Sequence, residues 1–272
     1  MSQLVIEADR VERQYWRDLY RYRELLLFFV WRDLLVRYKQ TVVGVSWSLV
    51  RPLLTMLVLT IVFGKLGRMP AVGIPYPLLV FCGMLPWQFF ATALTESGNS
   101  LVGNAGMISK VYFPRLVMTV SSVITNLIDA LISSVFLIVL MFWYHFAPPL
   151  AVVFLPLFVI LAFAAALGAG IWVSALTVKY RDFRIIVPFV VQFGLYVSPV
   201  GFQSSIVPER FRLLYAINPM VGIIDGVRWS LLGASSKIYW PAVAIAVIEV
   251  TILLITGIWY FRKTELTFAD VI

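Results

Sequence analysis

Six stretches of the chain are nearly free of charge and run for about 20 residues or more: residues 43–64, 76–95, 116–144, 150–178, 185–207 and 240–261. A helix rises about 1.5 Å per residue, so about 20 apolar residues cross a hydrocarbon core of about 30 Å. Each stretch is therefore predicted to be a membrane-spanning helix. The third and fourth are longer than the core requires and are expected to tilt or project beyond it. Residues 145–149 alone separate them, which makes them a tight hairpin. The first is interrupted by Arg51 and Pro52. Ahead of it, residues 14–40 carry a different pattern. Arg10, Arg13, Arg17, Arg21 and Glu24 recur at three- and four-residue spacing, while Leu19, Tyr22, Leu26, Val30 and Leu34 recur elsewhere on the wheel. With Trp16, Tyr20 and Trp31 set beside arginines, this predicts an amphipathic helix in the headgroup layer. A helix of a small soluble domain is the alternative, although a 42-residue tail is thin material for an independent core.

Composition supports the membrane reading. Of the 272 residues, 61% are hydrophobic and 13% charged, with a mean hydropathy of +0.91. Soluble domains have roughly 45–50% apolar and about 25% charged residues. A water-soluble globule, a disordered chain and a coiled coil are all excluded, since each needs more polar surface. One cysteine, Cys82, and one histidine, His145, leave no internal disulfide, no zinc spacing and no histidine pair.

The net charge of +8 is better read as orientation than as nucleic-acid binding, which needs a basic face on a soluble domain. Sixteen Lys and Arg residues fall on the side of the N-terminal tail, and six (Lys65, Arg68, Arg210, Arg212, Arg228, Lys237) on the other. The positive-inside rule places both termini in the cytoplasm, in keeping with an even number of spans. The beginning of the chain is not read as a secretory signal: Glu7, Asp9 and Glu12 interrupt any basic region, and residues 25–31 are too short an apolar run.

The chemistry the chain lacks is also informative. It has no G-x-x-x-x-G-K-[ST] loop, no D-x-D pair, no G-x-S-x-G and no H-E-x-x-H. Gly168 and Gly170 form G-x-G inside an apolar span, with Val173 where the third glycine would fall. Neither a nucleotide cradle nor a group poised for proton transfer or nucleophilic attack is present, and the chain is read as a non-enzyme that binds no cofactor or metal itself. Ala162, Ala166 and Gly170 make a small-x-x-x-small ladder flanked by Ala165 and Ala169, and by Ala164 and Gly168. Such ladders let helices approach closely, within the bundle or across a dimer. Asp129 with Asn126, Glu249, and Arg51 lie inside spans, where charge is expensive. They either line a polar path or form structural pairs, such as Asp129 with a basic partner on a neighbouring helix; Arg51 could also snorkel inward.

Between the spans, residues 104–115 predict a short helix stopped by Pro114, and residues 179–184 read Lys-Tyr-Arg-Asp-Phe-Arg. Their mixture of aromatics and charge suits docking to a partner protein, although solvated turns would also serve. In residues 203–239, Pro208 opens a helix, Asn218-Pro219 ends it, and a second helix over residues 222–232 closes at Gly233. Asp225 and Arg228, three apart, are placed to pair. Two short helices there would form a lid over an exit. Trp87, Phe89 and Phe90 after Pro86 are candidates to line a conduit, where aromatic faces suit sugar C–H surfaces; interfacial belts are the other use of such residues.

Taken together, these segments form a familiar series: Trp31-Arg32-Asp33 and Arg37-Tyr38-Lys39; Gly44-Val45-Ser46-Trp47 continuing to Arg51-Pro52; Gly83-Met84-Leu85-Pro86-Trp87; the Ile-Ser-Lys-Val-Tyr-Phe-Pro-Arg core ending at Arg115; Lys179-Tyr180-Arg181-Asp182; Asn218-Pro219-Met220; and Thr267-Phe268-Ala269-Asp270. In this order, over nearly the whole chain, they closely resemble the permease subunits of bacterial ABC transporters that export polysaccharides. The O-antigen type is the nearest likeness, followed by capsule and teichoic-acid exporters.

The resemblance implies an all-α membrane protein: a cytoplasmic tail (1–42) with an interface helix that includes Trp31, Arg32, Asp33 and Arg37, a six-helix permease domain (43–262), and a short cytoplasmic tail (263–272). It implies a homodimer in the inner membrane with two copies of a separate ATPase that holds ATP and Mg, and a lipid-linked polysaccharide as substrate. By position, Lys110, Val111, Tyr112, Phe113 and Arg115 would form the coupling segment, and Lys179, Tyr180, Arg181 and Asp182 a secondary contact. The outer gate would include Asn218, Pro219, Asp225 and Arg228. A drug or lipid export permease is the alternative reading, and a membrane enzyme of glycan assembly a more distant one.

Overall fold

The computed structural model describes residues 11–39, 45–70, 73–108, 110–233, 236, 238–265 and 268. Gly44, Ser109, Thr267, Ala269 and Asp270 of the quoted segments, and the side chain of Arg51, lie outside the described residues. All regular structure among the described residues is helical, as expected. In chain order the helices are α1 (Val11–Arg21), α2 (Arg23–Lys39), α3 (Val45–Leu59, widening into a π-helical stretch over Thr60–Leu66), α4 (Tyr76–Gly103), α5 (Ala105–Ile108), α6 (Leu116–Trp143), α7 (Leu155–Lys179), α8 (Phe183–Val197), α9 (Glu209–Tyr215), α10 (Pro219–Leu232) and α11 (Trp240–Glu265).

Four segments, Tyr76–Gly103, Leu116–Trp143, Leu150–Lys179 and Trp240–Glu265, are long and apolar enough to cross a membrane. The expected first and fifth spans are shorter apolar helices, Pro52–Leu66 and Phe183–Val197. The fifth was expected to run to Val207. It stops at Val197 because Pro199 has no N–H to give the ladder and holds Ser198 in extended backbone (φ −81°, ψ 152°). Beyond that break the carbonyls of Val200 and Phe202 accept from the Arg228 guanidinium. At 15 residues, α8 is about 22 Å long.

α4 is the centre of the bundle, packed by α6, α7, α10, α8 and α3. Pro77 sits in its first turn, where a missing N–H costs no bond, and Leu78, Leu79, Phe81, Met84 and Trp87 are buried. Phe81 meets Phe136 of α6 with ring centroids 5.2 Å apart. The ladder of small residues on α7 is used inside the bundle, between α4 and α11. A Cβ on Gly168 would lie 3.0 Å from the backbone N of Leu254, and one on Gly257 3.0 Å from the Gly168 carbonyl. Trp172 closes this seam by donating to Thr256 (3.0 Å) and stacking on Tyr260 (4.6 Å). Gly168→Val should therefore separate α7 from α11 and destabilise the subunit by about 1–3 kcal/mol. A melting curve of the purified protein checks this, and an unchanged midpoint would count against the packing argument.

Lys110, Arg115, Lys179, Arg181, Arg262 and Lys263 lie at one end of the bundle, the basic end. A second apolar cluster there joins Tyr15, Phe29, Ile108, Phe113, Phe261 and Phe268. The helix expected over residues 14–40 is present as α1 and α2 with an irregularity at Tyr22. The hydrogen-bond ladder continues through it, Tyr22 N–H to the Asp18 carbonyl (2.9 Å) and Leu26 N–H to the Tyr22 carbonyl (3.1 Å). α2 lies against α6.

Candidate functional site

At the basic end, residues 104–115 leave α4, turn through α5 and enter α6. Lys110, Val111 and Tyr112 project outward, with Val111 57% and Tyr112 63% exposed. Phe113 points the other way: it is 4% exposed and its ring lies 5.8 Å from that of Phe29 in α2. Arg115 fastens the segment to α11, its backbone N–H donating to Glu265 Oε1 (2.7 Å) and its guanidinium to the Glu265 carbonyl. Lys179, Tyr180, Arg181 and Asp182 are exposed between α7 and α8 at the same end. The arrangement is an exposed prong on a base tied to α2 and α11. Burial, followed by Glu265, raises the Tyr15 phenol above its ordinary range, so it stays protonated beside that carboxylate.

The end of α2 reaches the middle of the bundle. Arg37 pairs with Glu96 of α4 (2.5 Å) and with Asp129 of α6. The Asn126 amide donates to Glu96 (2.7 Å), and the Tyr38 hydroxyl donates to Asp129. The basic partner for Asp129 is thus Arg37. Arg32 and Asp33 pair with each other (2.8 Å), with the guanidinium over the Phe29 ring, and Trp31 is exposed. Glu96 escaped the sequence reading because it falls one residue beyond the second predicted span. The available signal was a lone carboxylate at the very edge of a long apolar run. Glu249 of α11 has one carboxylate oxygen buried without a hydrogen-bond partner among the described residues.

Trp87 and Phe89, candidates for a conduit lining, are buried within the subunit. Gly194 lets α8 close over Trp87, since a Cβ there would lie 3.0 Å from Trp87 Cζ2. Phe90 is half-buried, 5.9 Å from the Trp87 ring. Sequence reasoning passed over the neighbouring polar positions of α4: Gln88, Thr92, Thr95, Glu96 and Asn99 are all at least partly exposed. Their three- and four-residue spacing was the signal that could have found them.

At the opposite end both predicted helices are present, but the second begins at Pro219 rather than Gly222, because Asn218-Pro219 opens it instead of ending the first, which stops at Tyr215. Pro208 precedes α9, and the Asn218 side chain caps α10 by accepting from the Met220 N–H (3.0 Å). Pro219 is the first residue of α10 and Gly233, at φ 67°, closes it. Asn218 also donates to the Ser198 hydroxyl (2.9 Å). The expected direct pairing of Asp225 with Arg228 is corrected by the geometry. The Arg228 guanidinium donates to the carbonyls of Leu79 (3.1 Å), Phe202 (2.7 Å) and Val200 (2.6 Å), and Asp225 accepts from the Ser204 hydroxyl. Fully buried, Arg228 fits against α4 because residue 83 is glycine: a Cβ there would stand 2.8 Å from its Cζ. Burial pushes the Asp225 carboxyl up to about 6, with the Ser204 hydrogen bond and then the Arg228 charge opposing the rise.

Among the described residues there is no group of three or more His, Cys, Asp or Glu side chains that could hold a metal ion. The site consists instead of an exposed edge of aromatic and basic residues at the basic end, a polar network in the interior and a fastened helix pair at the other end. Two sets of comparisons bear on this arrangement. The membrane family described as ABC-2 type transporter matches residues 24–232. An O-antigen export system permease protein, RfbA, of Klebsiella pneumoniae is 30% identical over 251 residues, covering 92% of this chain and 95% of the relative. Its Myxococcus xanthus namesake is 31% identical over 240 residues (87% and 91%). The polysialic acid transport protein KpsM of Escherichia coli is 21% identical over 199 residues (71% and 76%). With the family match spanning most of the chain and these relatives aligned almost end to end, the protein belongs to the ABC-2 type transporter membrane family.

Proposed function

We propose that this chain is the transmembrane subunit of an ATP-driven exporter that moves a lipid-linked polysaccharide, O-antigen-like or capsular, across the cytoplasmic membrane. The observation that carries the reading is the near full-length likeness to O-antigen export permeases in a chain with no phosphate-binding loop of its own. ATP and Mg would be held by a separate subunit, two copies of which dock on a homodimer of this chain. Segments α3 with its π-helical extension and α8 complete six crossings, with both termini in the cytoplasm.

ATP-driven closure of the partners presses on Lys110, Val111 and Tyr112. Phe113 carries that displacement to α2, and Arg115 carries it to α11. Lys179, Tyr180, Arg181 and Asp182 form the secondary contact, and α1 with the start of α2 rests at the inner membrane surface, while the end of α2 enters the bundle. The glycan passes along a conduit at the dimer axis, and α9 and α10 gate its exit. Phe90 remains at the edge of this path, while Trp87 and Phe89 support it from within.

Co-purification with the candidate ATPase, followed by hydrolysis measurements in lipid with and without this chain, tests the reading. A stable complex of two copies each, with altered hydrolysis, is expected. A chain that purifies alone and leaves hydrolysis unchanged would refute it.

A further inference from the structure

The partly exposed positions of α4 are not scattered. Leu85, Gln88, Thr92, Glu96, Asn99 and Gly103, with Thr95, fall within a sector of about 100° at about 100° per residue, and the rest of the helix below its first turn is largely buried. Most of the side chains in that sector are polar. The same molecule supplies the comparison. On α6 the exposed side chains include Leu131, Val135, Ile138 and Phe142, and on α11 Val247, Ile248, Ile252 and Ile255, all suited to lipid. The hydroxyls of Thr92 and Thr95 bond back to carbonyls one turn earlier (both 2.8 Å), so a threonine alone would tolerate lipid. A glutamine, a glutamate and an asparagine on that face would not, because polar groups at membrane depth face water or protein.

The sector leads to the network around Arg37, which is not sealed. The side chain of Glu96 is 42% exposed, that of Arg37 28% and that of Asp129 19%. Two carboxylates against one guanidinium leave an excess negative charge, which repels phosphate or any other anion. What remains is a set of planar groups, carboxylate, amide and guanidinium, each able to meet two neighbouring hydroxyls at once. That is the chemistry of a neutral polyhydroxyl ligand.

We infer that the polar face of α4 is a track for sugar hydroxyls, with Arg37, Glu96, Asn126 and Asp129 as the subsite where the glycan's neutral sugar units first engage. The inference rests on the export reading and deepens it, since it names the sugar hydroxyls as the groups recognised and the residues that meet them.

Single cysteines test it, because the native Cys82 is fully buried and forms a silent background. Gln88→Cys, Thr92→Cys and Asn99→Cys, with Val135→Cys and Ile252→Cys as lipid-facing controls, are treated in membranes with a positively charged, water-soluble methanethiosulfonate. The membranes come from cells with glycan synthesis switched on or off. The α4 cysteines are expected to react at least tenfold faster than the controls, and several-fold more slowly when the glycan is made. Reaction no faster than the controls overturns the track, and fast reaction without protection overturns its role in holding glycan. Asp129→Asn should also raise, several-fold, the amount of extracted lipid-linked glycan needed for half-maximal ATP turnover. A purely structural network would lower folded yield and leave that amount unchanged. Export that persists when this chain is deleted would refute the export reading itself, an outcome separate from any result at these cysteines.

Discussion

Arg228→Ala is expected to be among the most damaging single substitutions in the chain, lowering stability by about 3–5 kcal/mol. Three carbonyls, those of Leu79, Val200 and Phe202, lose their donor together. A side chain that is 0% exposed leaves a void, and the buried Asp225 loses the positive charge near it. Against a typical total stability of about 5–15 kcal/mol, such a loss removes much of the margin. Folded yield in the membrane and the melting midpoint in detergent should both fall sharply. Arg228→Lys should fall between, because a compact ammonium cannot reach acceptors on α4 and on the α8–α9 connection with one planar fork. A wild-type melting curve for Arg228→Ala would show that the helix pair is held by something else.

Tyr112→Ala and Phe113→Ala, adjacent in sequence, are expected to fail in different ways. Tyr112 is 63% exposed, so its removal should spare the fold, cut export at least tenfold and leave the partner's ATP turnover running without transport. Phe113 is 4% exposed against Phe29, so its removal should cost about 3–5 kcal/mol of stability before any question of coupling arises. Measuring melting, ATP hydrolysis and export on the same preparations separates the two. Normal export by Tyr112→Ala would remove the docking role from this segment.

Much of this arrangement is local and therefore legible from the residues. Long apolar runs report the cost of exposing backbone and side chains in lipid, which each segment bears independently of its neighbours. Gly233 marked the end of α10 because caps act within a single turn, and Asn218-Pro219, read as the stop of the helix before it, is the start signal of α10 itself. The early end of the fifth predicted span is local too, since Pro199 breaks the ladder after Val197. What carries no mark in the sequence is that the carbonyls of Phe202 and Val200 beyond it are claimed by a guanidinium 26 and 28 positions away.

The same distinction governs the candidate sites. The helical membrane class, the basic end, the existence of the two outer helices and the residues that could serve as docking or polar groups are all legible from the residues alone. Packing settles that Arg37 meets Glu96 and Asn126, 59 and 89 positions away, that Tyr112 faces out while Phe113 faces in, and that Arg228 turns to carbonyls rather than to Asp225. Hydropathy and capping are properties of a residue and its immediate neighbours. Pairing across helices depends on which faces the packing brings together, and in lipid those pairings are strongly selected, because a charge left without a partner there is costly.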